Sequence, residues 1–592
     1  MLTRKDIFPE DRLPSTPELQ ARGRDLAQTH RVTPGPFLKE NAVPSEAAYK
    51  RRESAAGRIM QHAQIGFRDL EKSRRAWGEI HEACHRKGIR VDRYGITLDW
   101  AMGLPAKERQ VAVKGTGILL SRPEEFVRLT EVAPVAPHFG DFIMGFPAAV
   151  ENTCAALAAG ATSIGNLGQY FTFRLPNWDD DIATTTATVT ALALLAAQDE
   201  EVLIHSNLDD GFAGLFTDLA SVLGFVLIEK EVIEGLLGAN LSHCWGHHFS
   251  DPQRRLAFHL ALSAVNPTPG TMVYGNTVSY RGELGANFAS LANYLLVDVI
   301  GQTARPSGHA VNPVPVTENS RIPEIDEIID VQLFAGRLAQ QSAPTWSRLV
   351  DIDKAKTVAE EISANGRRFR DNVMQGLGQA GIDTGDAVEM LLALKRLGPK
   401  RIEELWGAGE ADRAAPRGRR PAVRAPFVEE LDELADRHLD RVADSLRQRI
   451  GGLRPRVIVA TSDVHEHGKM ALEQVLRQLG ADIVDGGVST DPETLARAAV
   501  ANEAEAVLLS TYNGIALDYF ESLKSCLPDG FPVLIGGRLN QVPSGSNSSL
   551  PVDVSAELAA GGAIVCREIE DAVPALLAIA GQRRSAGGSR RQ

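Results

Sequence analysis

Asp463, His465 and Gly468, in the run Asp463-Val464-His465-Glu466-His467-Gly468, are the residues of this chain whose types and spacing most directly specify chemistry. An imidazole can ligate a metal through one ring nitrogen while a carboxylate two residues earlier holds the other. That second bond fixes the tautomer and raises the basicity of the ligand nitrogen. Gly468 lacks a Cβ, so the backbone there can approach a bulky group closely. The run follows the apolar stretch Val457-Ile458-Val459-Ala460 and precedes a helical stretch from Met470 to Leu479, closed by Gly480. It therefore belongs on a loop at the end of a buried strand, where a side chain can project out of the sheet.

Three further strand-turn units follow: Ala481-Asp482-Ile483-Val484-Asp485-Gly486-Gly487, Ala506-Val507-Leu508-Leu509-Ser510-Thr511 and Phe531-Pro532-Val533-Leu534-Ile535-Gly536-Gly537. Such alternation of strand and helix predicts a parallel, doubly wound sheet. Ligands of these sheets bind outside the carboxyl ends of the strands, where His465, Ser510, Thr511, Gly536 and Gly537 all fall. The bland alternative is a flavodoxin-like domain whose His465 only caps a loop. Four elements in register argue against it.

The chain has 592 residues, too many for one core, and a formal net charge of -13. That acidity argues against a nucleic-acid or anionic-membrane surface. Cys84, Cys154, Cys244, Cys526 and Cys566 are scattered without paired spacing, as expected of reduced thiols in a cytoplasmic protein. The N-terminus lacks the apolar region of an export signal, and the longest apolar run, around Val189 to Ala197, is too short to span a bilayer. The expected partner is a small-molecule substrate, with no nucleic acid and no membrane, and homodimerisation is left open.

Before the doubly wound domain, Pro416, Pro421 and Pro426 break the stretch Arg413 to Phe427, which predicts a linker, and Val428 to Ile450 predicts a single helix. Further upstream, short apolar strands with polar tips alternate with helices often enough for a (β/α)8 TIM barrel. The tips are Gln61-His62-Ala63-Gln64, Ile96-Thr97-Leu98-Asp99, Ala136-Pro137-His138-Phe139-Gly140-Asp141, Ser163-Ile164-Gly165-Asn166, Leu203-Ile204-His205-Ser206-Asn207, Ser242-His243-Cys244-Trp245, Met272-Val273-Tyr274-Gly275-Asn276 and His309-Ala310-Val311-Asn312. A barrel whose strands end in His, Asn, Asp and Tyr has a polar mouth at its catalytic face. The expected organisation is an N-terminal extension over 1–55, a barrel with C-terminal helices over 56–408, a linker and lead-in helix over 409–450, the doubly wound domain over 451–582 and a disordered basic tail over 583–592.

The Asp-x-His-x-x-Gly loop, Ser510 and the Gly536-Gly537 pair resemble the cobalamin-binding domain of B12-dependent mutases and methionine synthase. The resemblance implies that His465 is the lower ligand of cobalt, with Asp463 as its orienter. It also implies that Gly468, Ser510, Thr511, Gly536 and Gly537 contact the cofactor. One departure is that the usual Ser-x-Leu reads Ser510-Thr511-Tyr512. The barrel is similar to the glutamate mutase large component at Pro137-His138-Phe139-Gly140, Phe173-Arg174-Leu175-Pro176, His243-Cys244-Trp245-Gly246 with Phe249, and His309 to Glu318. The whole chain thus resembles an adenosylcobalamin-dependent carbon-skeleton mutase, glutamate mutase-like, with its two components fused. In such mutases a radical generated by homolysis of the cobalt-carbon bond drives the rearrangement.

The three arginines and the glutamate with which that family grips its substrate are not retained: their positions read Gly66 or Ile65, a residue near Gly103, His138 and Asn166. The family's lysine near the adenosyl group reads Thr317, beside a retained Glu318. The expected reaction is therefore a radical isomerisation of a substrate other than glutamate. The expected catalytic residues are His138, Asn166, Arg174, His205, His243, Tyr274 and Glu318, with Gln169, Tyr170 and Asn312 as further pocket candidates. Arg174 and Arg281 are the expected cations at loop mouths. Competing expectations are a corrinoid methyltransferase, which would carry a helical cap before the cobalamin domain, a non-catalytic cobalamin sensor, and a separate metal site at His243, Cys244, His247 and His248.

Overall fold

The computed structural model describes every residue except 1, 11, 113, 214, 281, 347–349, 414, 464, 545–549 and 589–592. It divides into two compact units, the first comprising Met1–Val111, Gly117–Thr172 and Asp180–Phe427, and the second Ala112–Thr116, Phe173–Asp179 and Val428–Gln592.

In the first unit, eight short strands pair in parallel in sequence order: β1 (His62–Ile65), β2 (Arg93–Ile96), β3 (Ala136–Phe139), β4 (Ser163–Gly165), β5 (Leu203–Asn207), β6 (Asn240–Trp245), β7 (Met272–Val273) and β8 (Ala310–Val311). A parallel bridge between Gln61 and Val311, with the Val311 amide donating to the Met60 carbonyl at 2.9 Å, brings β8 beside β1 and nearly closes a barrel. The strands are short because each supplies little more than one inward row and one outward row of side chains.

The residues before β1 belong to the barrel's floor. Lys50 donates to the carbonyls of Thr271 (2.9 Å) and Gly308 (2.8 Å), and the Glu46 carboxylate accepts from Arg93 Nε at 2.7 Å. Among the described residues one helix, Leu284–Ala304, is long and apolar enough to cross a membrane by length and composition. It lies between β7 and β8 and buries Asp298 in a two-pronged ion pair with Arg255, a placement suited to a barrel helix. This helix is longer than the apolar run around Val189 singled out in the sequence.

The stretch expected as a free linker is tied to the first unit. Glu410–Ala411 pairs antiparallel with Arg419–Arg420, and the Asp218 carboxylate accepts the amides of Ala422 (2.8 Å) and Val423 (3.1 Å). Prolines keep a continuous α-helix from running through this stretch, but they leave amides between them that Asp218 can hold. The single helix expected over 428–450 forms instead as two, Pro426–Asp440 and Asp444–Leu453. The chain leaves the helical region at Ala443 (ψ 140), next to buried Val442.

The second unit holds a five-stranded parallel sheet of β9 (Arg456–Thr461), β10 (Asp482–Asp485), β11 (Ala506–Thr511), β12 (Val533–Gly537) and β13 (Ile564–Val565), in the order β10-β9-β11-β12-β13. Alternate residues feed opposite faces, as a two-residue period requires. Ile458, Ala460, Val507, Leu509 and Ile535 pack with Leu495, Phe520 and Leu523. Val457, Val459, Ala506, Leu508 and Leu534 pack with Val475, Leu476 and Leu576. Both helices before β9 join that second core through Ala435, Leu439 and Ile450. The chain beyond residue 582 continues the helix Ala572–Gly588, where the sequence suggested a disordered tail, and 589–592 lie outside the described residues.

Candidate functional site

In the second unit the strand order doubles back at β9, so the loops after β9 and β11 flank a crevice at the carboxyl edge of the sheet. Asp463, on the loop after β9, is 4% exposed. Its Oδ1 faces His465 Nδ1 at 2.9 Å and accepts the His465 amide at 3.0 Å. Its Oδ2 accepts the amides of Tyr512 (2.7 Å) and Asn513 (3.1 Å), just past β11. Burial alone would raise this carboxyl, yet the His465 bond and the amides hold it below its ordinary value.

A carboxylate only accepts, so His465 Nδ1 carries a proton and donates it, which leaves Nε2 as the nitrogen available to a metal. The side chain is 44% exposed, and its ring centroid lies 4.3 Å from that of Tyr512, tilted by 35°. Arg538 stands 4.4 Å from the Tyr512 ring. Tyr512 is thus a packing partner of the imidazole, a role its place in the altered Ser-x-Leu motif did not disclose.

The glycines have local reasons of their own. A Cβ at Gly468 would meet Ser510 Oγ at 2.6 Å, so the glycine lets the start of the helix His467–Gln478 approach β11. Gly537 adopts φ +96, and a Cβ there would lie 2.4 Å from the Thr511 carbonyl. Thr511 Oγ1 is buried without a hydrogen-bond partner. A nitrogen donor backed by a buried carboxylate, a glycine cradle at Gly468 and Ser510, and an unsatisfied hydroxyl at Thr511 fit the corrinoid that the sequence resemblance implies. Val464 lies outside the described residues.

The first unit gathers a different set. His138 Nδ1 faces the Ser163 carbonyl at 3.3 Å, its ring centroid lies 4.5 Å from that of His205, and His205 Nδ1 faces Thr271 Oγ1 at 2.9 Å. With His62 they fill the bore around Arg93, whose guanidinium also reaches Ser163 and the His62 ring. Burial, and then the Arg93 charge, push all three imidazoles well below their usual range, so they are neutral at physiological pH. His243 points to the helix layer instead: its Nε2 faces Glu229 at 3.1 Å and its Nδ1 faces Asn266 at 3.0 Å. That separates it from Cys244. Among the described residues the only group spaced to hold a metal is His438, Glu568 and Glu570, so the expected cluster of His243, Cys244, His247 and His248 does not assemble.

At the carboxyl ends of the strands, Asn166 accepts the amides of Gly168 (2.9 Å) and Asn207 (2.8 Å), and its Nδ2 spans Asp141 (3.4 Å) and Asp210 (3.3 Å). Gln169 donates to Asp141 at 3.2 Å. Tyr170 is turned away, bonded to Thr185 at 2.7 Å. Tyr274 feels the charges of Glu318, Asp141 and Asp210, and burial drives its hydroxyl well above the usual range. Asn312 is fully buried with both amide atoms unpartnered. Arg174 falls in the second unit, where it binds the carboxylates of Asp179 and Asp491 and the Ser489 carbonyl. Arg281 lies outside the described residues.

Sequence reading missed Asp209 and Asp210, an adjacent acid pair two residues past the β5 tip. Asp209 accepts the amides of Gly246 (2.9 Å) and His248 (2.8 Å), and burial pushes its carboxyl up to about 6. It also missed Arg68, a buried guanidinium three residues past β1, which burial pulls down and Asp99 counteracts. The signal for both was a charge close behind a strand end.

No protein-family model matches the chain. One curated protein does resemble part of it. Over 95 residues, 15% of this chain, the sequence is 38% identical to "Glutamate mutase sigma subunit 1" of Haloarcula marismortui. The match spans 63% of that protein's length. The likeness supports a mutase-like small domain within the chain and leaves the barrel unaddressed.

Proposed function

We propose that this protein is a cytoplasmic, adenosylcobalamin-dependent radical isomerase of the carbon-skeleton mutase kind, acting on a small substrate other than glutamate. The observation that carries the reading is the Asp463–His465 pair, which presents one imidazole nitrogen at the ligand-binding edge of a doubly wound sheet. The partial likeness to a glutamate mutase subunit and the eight-stranded barrel in the same chain support it. All five cysteines are unpaired, in keeping with a reducing compartment.

When bound, the cofactor supplies a carbon radical by homolysis of its cobalt-carbon bond. His465 Nε2 would hold the metal, and Asp463 would keep the ring in the donating tautomer. Tyr512 would limit rotation of the imidazole. Ser510, Thr511, Gly536 and Gly537 would line the slot beside β11 and β12. The barrel's neutral histidines would pack the bore around Arg93, and Tyr274, Asn166 and Asn312 would orient the substrate at the strand ends.

Electron paramagnetic resonance of the cob(II)alamin form, with protein grown on nitrogen-15 histidine, tests the ligand assignment. The expected spectrum shows hyperfine splitting from the labelled imidazole. Splitting that is unchanged by the label and follows the cofactor's own base would overturn it. A coupled assay should show no useful interconversion of L-glutamate and 3-methylaspartate, and efficient turnover would refute the substrate reading.

A further inference from the structure

The second unit contains a short piece of chain from far upstream. Phe173–Asp179 belongs to it, although the residues on either side, up to Thr172 and from Asp180 onward, belong to the first unit. Arg174 is the centre of that piece. Its Nη1 donates to the Ser489 carbonyl at 3.2 Å, its Nη2 donates to Asp491 Oδ2, and the Asn177 amide donates to Asp491 Oδ1 at 2.7 Å. Both carboxylate oxygens of Asp491 thus face the upstream piece, and its side chain is only 11% exposed. Asp491 stands at the N-cap of the helix Pro492–Ala501, where an aspartate ordinarily accepts amides of its own helix, and here its side chain caps none of them. The carboxylate is diverted to Arg174 and Asn177.

The loop that receives these bonds is strained, and it leads to the Asp463–His465 pair. Ser489 is 2% exposed with φ +52, a left-handed conformation that a residue with a side chain keeps only where its neighbours fix it. Its amide donates to Thr461 Oγ1 at 3.0 Å and to the Asp463 carbonyl at 3.2 Å, and the Thr461 hydroxyl donates to that same carbonyl. The Tyr519 hydroxyl donates to the next carbonyl along, that of Thr490. Ser489 is therefore held at its carbonyl by Arg174 and at its amide by the backbone of Asp463. An unbroken series of hydrogen bonds runs from Arg174 through Ser489 and Asp463 to His465 Nδ1.

We propose that Arg174 is a positioning residue for the axial imidazole: the upstream piece Phe173–Asp179 fixes the turn at Ser489, and that turn fixes the backbone of Asp463, on which His465 depends. An arginine suits the task because its planar fork reaches a carbonyl and a carboxylate at once, where a lysine offers a single point charge. Arg174, which the sequence suggested as a substrate cation, is thereby assigned to the cofactor's side of the chemistry. One consequence is that a cobalamin domain beginning at Val428 lacks part of its own support. The proposal rests on the cobalamin reading for the identity of the ligand alone.

The test begins with hydrogen exchange of the full chain without cobalamin, followed by mass spectrometry of peptides covering 457–465 and 485–492. Arg174→Ala is expected to speed exchange of the Ser489 and His465 amides by about tenfold, the loss of one charge-assisted hydrogen bond from a local opening equilibrium. The barrel strands should exchange as before. Asp491→Asn should reproduce the effect, and Arg174→Lys should recover part of the protection. Titration with cobalamin, followed by its absorption spectrum, should show Arg174→Ala binding about fivefold more weakly, short of the roughly 10–100-fold usual for the direct partner of a ligating histidine. The imidazole nitrogen splitting of the cob(II)alamin form should broaden as the ring loses its fixed orientation. Exchange at 457–465 unchanged by both Arg174→Ala and Asp491→Asn, or an Arg174→Ala protein that binds cobalamin as tightly as the original, would overturn the proposal. If the original protein bound no cobalamin, the isomerase reading would fall, while the exchange comparison would still decide the role of Arg174.

Discussion

The loop after β9 and the mouth of the barrel both assemble polar groups at the ends of parallel strands, yet they are built in opposite ways. In the loop, the acid and the imidazole stand two residues apart, so one turn of chain brings them to 2.9 Å. At the mouth, Asn166 joins Asp141 and Asp210 from positions 25 and 44 residues away. Local geometry enforces the first arrangement; only closure of the barrel enforces the second. Substitution of the exposed His465 should therefore act on ligand binding with little effect on folding, while substitutions in the bore should act on folding as well.

The largest effect is expected at His465. His465→Ala should remove imidazole ligation of cobalamin altogether while leaving the unfolding transition in place, because the side chain is 44% exposed. Spectra of bound cobalamin together with circular dichroism on heating separate the two outcomes, and unaltered ligation would erase the distinction drawn between the regions. Asp463→Asn should retain some binding, weakened by roughly 10–100-fold as is usual for the partner of a ligating histidine. Equilibrium dialysis against cobalamin measures it.

In the barrel, Glu229→Ala strips a buried acceptor from both Ser206 Oγ (2.8 Å) and His243 Nε2 (3.1 Å). Leaving those groups unsatisfied should cost about 1–3 kcal/mol for each orphaned group, read as a lower denaturant midpoint of the first unit, with cobalamin binding unchanged. A loss of binding without a loss of stability would contradict the contrast.

The smallest effect concerns pH. The Asp209 carboxyl lies near 6 in the folded protein against an ordinary value of 3.8. Between those values the native state holds a proton that the unfolded chain has released, so this group makes stability fall as pH rises through that window and then level off. Asp209→Asn should flatten that part of the stability profile. Identical slopes for the variant and the original protein in urea titrations across the window would show that the carboxyl titrates normally.

Much of the architecture is legible in local residue patterns. The apolar run Val457 to Ala460 specifies a buried strand, and the period-two filling of both its faces follows from parallel pairing. Barrel tips read from the sequence coincide with strand ends at Phe139, Gly165, Asn207 and Trp245. His243 misled, because a strand alternates its faces and nothing in the residue pattern says which face meets the bore. The prolines of the stretch 413–427 signalled a break in any continuous α-helix, and they could not reveal that Asp218, some two hundred residues earlier, binds its amides.

The sequence by itself determined the strand-loop-helix units, the tautomer-fixing pair Asp463 and His465, and the polar character of the barrel's strand ends. Those properties depend on residue type and on spacings of a few positions, which backbone geometry converts directly into distances. Only the tertiary structure decided that Tyr512 packs on the imidazole, that His138 and His205 are neutral groups inside the bore, that Arg174 belongs to the second unit, and that Asn166 brings Asp141 and Asp210 together. Each depends on which strands become neighbours and on how deeply a charge is buried, and both are fixed by closure of the sheet, with no trace in the local pattern of residues.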